Sequence, residues 1–138
     1  MSEIDTDFLK QCILTLEKSY EYLKKSKENS IEFEMYRNSL VKSFEMALEQ
    51  SGKLLRKKIT PYFATKKAVN TLNFKDLFRQ AAVYNLLTEN DVTRWFKYRD
   101  NRNNTTHDYG QEFAQETLNL IEDFLEDVKK LKGMIENG

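Results

Sequence analysis

The sequence predicts an all-α protein, an antiparallel bundle of about five helices, and three observations support this class. Only four glycines and one proline occur among 138 residues, so the residues that form the turns of a β-fold are scarce. Leu, Glu and Lys, which favour helices, are plentiful. Apolar residues recur at steps of three and four over long stretches, as expected for helices that each bury one stripe. Short connections between these stretches favour antiparallel neighbours.

The first two helices are predicted from the apolar stripes of the N-terminal half. Helix one is expected to run from Thr6 to Lys25, where a polar stretch ends it. Helix two, the longest, is expected to end before Thr60-Pro61, because proline disfavours a helical residue before it. Gly52 falls on or beside its stripe, where a missing side chain lets another helix approach closely. The stripe residues are Leu9, Ile13, Leu16, Tyr20 and Leu23 in helix one, and Val41, Phe44, Leu48, Leu55 and Ile59 in helix two.

Three further helices complete the predicted bundle. Asn73 is a candidate N-cap for a short helix three, and the segment 88–91 separates this helix from helix four. Asp108 and Gln111 have the spacing of a capping box at the start of helix five. The stripe residues are Phe74, Leu77, Phe78 and Ala81 in helix three, Val92, Trp95 and Phe96 in helix four, and Phe113, Thr117, Leu120, Ile121, Phe124, Val128, Leu131 and Ile135 in helix five.

The length of the chain fits one domain over residues 1–138, with helices one, two and five supplying most of its core. The aromatic pair Trp95 and Phe96 is expected to pack near the polar segment that follows it. One cysteine and one histidine exclude an internal disulfide and a zinc site, so no metal or cofactor is expected. The formal net charge is zero, so any contact with nucleic acid must be local. No apolar run reaches the length of a membrane span, and a cytoplasmic location is expected.

The residues that can carry chemistry lie in the polar segment 98–110, which contains the only histidine. In one continuous helix, Arg102 and His107 would diverge by about 140° around the axis. A junction through residues 103–106 would let both side chains reach one phosphate, with Arg102 ending one helix and His107 starting the next. Histidine exchanges protons near neutral pH and arginine binds phosphate oxygens, a pairing suited to metal-independent RNA cleavage. Alternatively, His107 is a solvated loop residue, Arg102 pairs with a carboxylate, and Tyr109 is an ordinary surface aromatic.

Two segments resemble a known family. Residues 102–109, Arg-Asn-Asn-Thr-Thr-His-Asp-Tyr, resemble the R-x4-H-x-Y motif of HEPN toxins. The segment from Arg37 to Glu49, followed by Gly52-Lys53, resembles a helix of the nucleotidyltransferase substrate-binding proteins. The resemblance spans nearly the whole chain, including the order of long and short helices. The chain departs from the family at Gly52, where tryptophan is common, and this departure concerns local packing.

The resemblance implies a toxin of a type VII-like toxin–antitoxin pair. Such a toxin is a homodimer whose two motifs face each other and form a metal-independent endoribonuclease site. In this sequence, the resemblance makes His107 the general base or acid and Arg102 the group that binds phosphate, with Asn103 in support. A partner minimal nucleotidyltransferase, the antitoxin, is expected to neutralise the toxin by AMPylation of Tyr109.

Glu45 and Glu49 match acidic positions on helix two of the family and are further candidates for a supporting role. Two carboxylates four residues apart also fit an ordinary solvated face beside Lys42 and Lys53. A second class of function remains open. In that reading, the protein is a non-catalytic adaptor that presents a substrate or a modifiable tyrosine to the nucleotidyltransferase.

Overall fold

The structure, a computed structural model, describes the backbone of residues 3–105 and 111–137 and the side chains of residues 3–101 and 117–137. These residues form six α-helices and one 3-10 turn, and no strand occurs among them. The predicted all-α class is confirmed. The elements are α1 (Asp7–Lys25), α2 (Ile31–Ile59), the 3-10 turn (Thr60–Tyr62), α3 (Lys66–Asn70), α4 (Phe74–Val83), α5 (Glu89–Thr105) and α6 (Gln111–Glu136).

Side-chain caps explain where several helices begin. The predicted cap of α4 is confirmed, because Asn73 Oδ1 accepts a hydrogen bond from the Asp76 amide at 2.8 Å. At the start of α5, the Thr88 hydroxyl accepts from the Asp91 amide, and the Asp91 carboxylate accepts from the Thr88 amide, both at 3.0 Å. This reciprocal capping places the first turn of α5 inside the segment 88–91, which the sequence had suggested as a separator between helices.

Helix α3 is the element that the stripes did not predict. It has only five residues, and Val69 is its one buried side chain. A single apolar residue produces no period, so the pattern gave no signal there. The Thr65 hydroxyl accepts from the Ala68 amide at 3.1 Å, and this bond starts the helix.

The core lies between α1, α2 and α6, with a smaller contribution from α3, α4 and α5, as predicted. Aromatic rings of four helices meet at its centre. The Phe124 ring contacts Phe44, Trp95 and Tyr98 edge to face, with centroid distances of 4.8, 5.6 and 5.2 Å. Trp95 also stacks on Phe78 at 4.8 Å and is almost fully buried. These rings attach α5 to the core through its middle.

The contacts between helices fix their directions. Helix α1 is antiparallel to both α2 and α6, and α2 therefore runs parallel to α6. The C-terminus of α1 and the N-termini of α2 and α6 consequently lie at the same end of the bundle. The pairs that define this arrangement are Ser19–Ser39 and Tyr22–Tyr36 between α1 and α2, and Thr6–Glu136, Glu17–Lys129 and Tyr20–Glu122 between α1 and α6.

The prediction that Gly52 permits a close approach is confirmed. A Cβ atom at this position would lie 2.9 Å from Cδ2 of Phe74, the first residue of α4. The Phe74 ring thus occupies the space beside α2 that a larger side chain at Gly52 would need. Within the described residues, no helix is both long and apolar enough to cross a membrane.

Candidate functional site

Helix α5 carries the start of the R-x4-H-x-Y motif. Its backbone includes Arg102 and continues through Thr105. The prediction of a junction through residues 103–106 is therefore wrong for its first three residues, which are helical. Asn and Thr have weak helix propensity, but adding residues to an existing helix costs far less than starting a new one. His107 and Tyr109 lie outside the described residues, as does the predicted capping box of Asp108 with the Gln111 side chain.

The three residues immediately before Arg102 each contact a neighbouring helix. The Arg99 guanidinium lies over the Phe74 ring, with 4.9 Å between its central carbon and the ring centroid. Asp100 forms a salt bridge with Lys75 of α4, with 2.7 Å between Oδ1 and Nζ. Asn101 Oδ1 accepts a hydrogen bond from the Thr117 hydroxyl of α6 at 3.1 Å. The turn that precedes Arg102 is therefore held against α4 on one side and α6 on the other.

A buried carboxylate ties the middle of α5 to α6. Asp127 Oδ2 accepts hydrogen bonds from the Tyr98 hydroxyl at 2.5 Å and from Arg94 Nε at 2.8 Å. Arg94 Nη2 also contacts Asp127 Oδ1 at 3.1 Å and Asp91 Oδ1 at 2.6 Å. Burial, followed by the Asp127 hydrogen bond, raises the pKa of Tyr98, and the Asp127 hydrogen bond raises the pKa of Arg94. Tyr98 and Arg94 therefore stay protonated at neutral pH, and the network joins the two helices.

These contacts also give the direction of α5. Arg94 and Tyr98 meet α6 at Asp127, whereas Asn101 meets it at Thr117, nearer the N-terminus of α6. Helix α5 is thus antiparallel to α6, and its C-terminus points to the end of the bundle where α6 begins. The structure brings Arg102 to that end.

The two candidate glutamates lie on α2, deeper along the bundle. Glu45 is half-buried and directly follows Phe44. The Phe44 ring contacts Phe124, which also contacts Tyr98, so Glu45 lies at the level of the aromatic core. Glu49 is exposed and lies one turn farther from the end that carries Arg102. Among the described side chains, neither glutamate forms an ion pair with Lys42 or Lys53. Glu49, Lys42 and Lys53 are all exposed, which fits the alternative interpretation of this part of α2 as an ordinary solvated face.

Two basic residues near the end of α2, Arg56 and Lys58, have structural partners. Arg56 donates to the Val69 carbonyl at 2.6 Å and to the Leu72 carbonyl at 3.0 Å, which closes the loops around α3. Lys58 donates to the Ile135 carbonyl at 3.2 Å near the end of α6. These contacts favour a structural role for this end of α2. In the part of the chain that the structure describes, no three His, Cys, Asp or Glu side chains are grouped closely enough to hold a metal ion.

Sequence reasoning missed the buried pair of Asn101 and Thr117. A signal was present, because Thr117 stands in the otherwise apolar stripe of α6. A hydroxyl in a buried stripe requires a hydrogen-bond partner, and Asn101 supplies one. The identity of that partner could not be found from the sequence, because it depends on how α5 and α6 pack.

The comparison with protein families identifies the chain. A model of the family described as nucleotidyltransferase substrate binding protein like matches residues 6–137. The chain belongs to this family. The predicted family is thereby confirmed, and the relatives of this chain support the HEPN assignment.

Relatives of this nucleotidyltransferase substrate-binding family agree in sequence and fold. The protein named Probable ribonuclease HepT from Haemophilus influenzae is 33% identical over 85 residues, which cover 62% of this chain and 57% of that protein. The match thus spans little more than half of that relative's length. The structure of HI0074 from Haemophilus influenzae, described as the fold of a substrate binding domain of a nucleotidyltransferase, superposes with a TM-score of 0.79. That comparison has 25% identity and covers 95% of this chain and 98% of the other.

A second solved structure supports the fold alone. A crystal structure of a protein from Thermus thermophilus has a TM-score of 0.66 at 20% identity, and it covers 88% of this chain and 99% of the other. Together, the two structures show that the helical arrangement described above is shared by proteins of diverged sequence.

Proposed function

We propose that this protein is a metal-independent endoribonuclease toxin of a toxin–antitoxin pair, acting as a single HEPN domain over residues 1–138. The observation that carries the proposal is the intact set of Arg102, His107 and Tyr109 in a chain of this family. The relative named Probable ribonuclease HepT supports the same chemistry. The position of Arg102 near the C-terminus of α5 supports a site at the end of the bundle where α6 begins.

The proposed reaction cleaves RNA at one phosphodiester. His107 takes the proton of the 2′-hydroxyl, whose oxygen attacks the adjacent phosphorus while the bond to the 5′-oxygen breaks. An imidazolium returns a proton to the leaving 5′-oxygen, and the products are a 2′,3′-cyclic phosphate and a 5′-hydroxyl. Arg102 stabilises the added negative charge on the phosphorus centre, and Asn103 supports it by hydrogen bonding. Glu45 and Glu49 are proposed as supporting residues of the same site.

To test this mechanism, purified protein is incubated with single-stranded RNA in the presence of a chelator, and the products are analysed. We expect cleavage with cyclic or 3′-phosphate ends, and no cleavage by His107→Ala. Arg102→Ala should lose on the order of 100-fold or more in rate, because one charge-stabilising donor is removed from a preorganised site. Arg79→Ala is the matched control, since Arg79 is exposed on α4 and pairs with Asp76. Chelator-sensitive cleavage, or full activity of His107→Ala, would contradict the mechanism.

The proposed control of this activity is covalent. The Tyr109 hydroxyl attacks the α-phosphorus of ATP in the active site of a partner minimal nucleotidyltransferase. Pyrophosphate leaves with the Mg²⁺ of that enzyme, and the phenolic proton passes to solvent. The added AMP places a negative phosphodiester two residues from His107, where it would repel the RNA backbone and block the cleft.

Intact-mass spectrometry after incubation with the nucleotidyltransferase, ATP and Mg²⁺ tests this control. We expect a gain of AMP-sized mass and loss of cleavage in the wild-type protein, whereas Tyr109→Phe stays active and gains no such mass. Tyr22→Phe is the control, because Tyr22 is an exposed tyrosine on α1 and its loss should not prevent modification. Equal modification of Tyr109→Phe and wild type would show that another residue accepts AMP.

The adaptor remains the second candidate function. The family description and the description of HI0074 as a substrate binding domain favour it. An adaptor should bind the nucleotidyltransferase and leave varied RNAs intact. Binding of that partner together with complete inactivity toward RNA would support this reading over the toxin.

A further inference from the structure

The hydrogen bond between Thr117 and Asn101 closes the segment that contains the motif. It joins residues 16 apart in sequence, and all of the residues from Arg102 to Tyr109 lie between them. The exposed fraction is 6% for Asn101 and 0% for Thr117, so water does not compete for this bond. A buried contact thus connects the residue before the motif, Asn101, to Thr117, which follows the motif on α6.

The other described contacts of this part of α5 lie on α4 or farther back along the helix, and Arg99 packs on Phe74 of α4. The salt bridge between Lys75 and Asp100 is exposed, with side-chain exposures of 35% and 55%, and such pairs contribute little. Asp127 and Tyr98 are buried, but their network holds α5 at Arg94 and Tyr98, one to two turns before Arg102. The Asn101 contact is therefore the last buried polar contact with α6 before the motif begins, among the side chains that the structure describes.

We infer that the buried hydrogen bond from Thr117 to Asn101 positions Arg102 for RNA cleavage, with Asn101 and Thr117 as positioning residues. This inference rests on the proposed function. Asn101 directly precedes Arg102 on α5, so a rotation or shift of this turn moves the start of the arginine side chain. Charge stabilisation at a reacting phosphate depends on placement to within a fraction of an ångström, and packing around the site must supply that accuracy.

Steady-state cleavage by Thr117→Val provides the first test. Valine keeps the shape of threonine and removes only the hydroxyl, so we expect kcat to fall on the order of 10- to 100-fold while KM changes little. Thr117→Ser restores the hydroxyl and should restore kcat. Thr93→Val is the matched control, because the Thr93 hydroxyl donates only within α5, to the Glu89 carbonyl at 3.1 Å. An equal loss in Thr93→Val would overturn the inference.

A double-mutant cycle with Arg102→Ala separates positioning from general loss of folded protein. If Thr117 acts through Arg102, Thr117→Val should cost little further rate in the Arg102→Ala background. The same fold loss in both backgrounds would overturn the inference. Should Thr117→Val fold poorly, combining it with Asn101→Leu replaces both polar partners by apolar groups; we expect this change to cost less stability, and it is measured in the same cycle.

The titration of His107 by NMR gives a readout that needs no nuclease activity. His107 is the only histidine, so its imidazole signals are unambiguous in the whole protein. Thr117→Val should change the midpoint of this titration in the same direction as Arg102→Ala, whereas Thr117→Ser and Thr93→Val should not change it. If the wild-type protein cleaves no RNA, the proposed function fails, and this titration alone decides the positioning role. An identical midpoint in wild type and Thr117→Val would overturn it.

Discussion

Asp127 is a buried charged residue, and hydrogen bonds from α5 compensate for the loss of water around its carboxylate. Asp127 is 5% exposed, and its carboxylate accepts hydrogen bonds from Tyr98 and from two nitrogens of Arg94. An unpaired buried carboxylate would be strongly destabilising, whereas a fully hydrogen-bonded one fixes the two helices in one relative position. We therefore expect the position of α5 on α6 to depend on this group.

Tyr98→Phe tests the contribution of this network. The ring stays in the aromatic core, and only the donor to Asp127 is lost. We expect the free energy of unfolding in urea to fall by about 1.5–3 kcal/mol, the range for a hydrogen bond to a charged group. Tyr62→Phe should change it by less than about 0.5 kcal/mol, because Tyr62 is half-exposed and its ring keeps its stack on Tyr84. Equal effects of the two changes would show that the Asp127 contact contributes nothing.

Asp91 makes stability depend on pH. Burial alone raises its pKa, but hydrogen bonds from Thr88 and the charges of Lys130 and Arg94 bring the pKa below its ordinary value of 3.8. A carboxylate with a lowered folded-state pKa stabilises the fold above its unfolded pKa, and this stabilisation is lost as the pH falls through the folded value.

Asp91→Asn should therefore destabilise the protein most at neutral pH. The difference in unfolding free energy between wild type and Asp91→Asn should shrink as the pH falls below about 4. Urea unfolding at several pH values measures it, and Glu126→Gln, on the exposed face of α6, is the control. A difference that stays constant down to a pH of about 2 would contradict the assignment.

At the scale of elements, the packing of α4 on α2 depends on Gly52. Gly52→Ala gains about 1 kcal/mol of helix propensity, but it forces the Phe74 ring away from its contacts, which typically costs about 1–3 kcal/mol. We expect a net loss of about 1 kcal/mol in unfolding free energy. Phe74 cannot move freely, because its ring also packs on Phe78, with centroids 4.7 Å apart, and lies under Arg99.

Gly133→Ala is the matched control for this prediction. Gly133 is also helical, but a Cβ atom there would have no neighbour within 4 Å. Only the propensity gain remains, so we expect stabilisation of up to about 1 kcal/mol. Denaturant unfolding of the two variants should therefore give changes of opposite sign. The same sign for both would show that the contact with Phe74 does not limit the size of residue 52.

At the scale of the whole molecule, the bundle brings the end of α5 and the starts of α2 and α6 to one end. The family resemblance implies that two such chains face each other through their motifs. We expect a dimer in sedimentation at micromolar concentration, and specific ribonuclease activity that falls on dilution below the dissociation constant of the dimer. A strictly monomeric protein whose specific activity is independent of concentration would contradict the composite site.

The sequence alone determined the helical class, the bounds of α1, the C-terminal end of α2, and the cap at Asn73. These features depend on local periodicity and on hydrogen bonds between residues three or four apart, which a single chain segment already contains. The sequence also pointed to residues 102–109, through the only histidine and the spacing of the motif. The roles of His107 and Tyr109 remain predictions from the sequence, since both residues lie outside the described part of the chain.

Only the tertiary structure decided how the start of the motif is held. The helix continues through Asn103 to Thr105 against the weak propensity of these residues, and Asn101 finds its partner on α6. The pairing of Asn101 depends on a contact between residues distant in sequence, and local patterns contain no information about which buried polar groups will meet. The cost of leaving such a group without a hydrogen bond is what selects the pairing of Asn101 with Thr117 once α5 and α6 pack together.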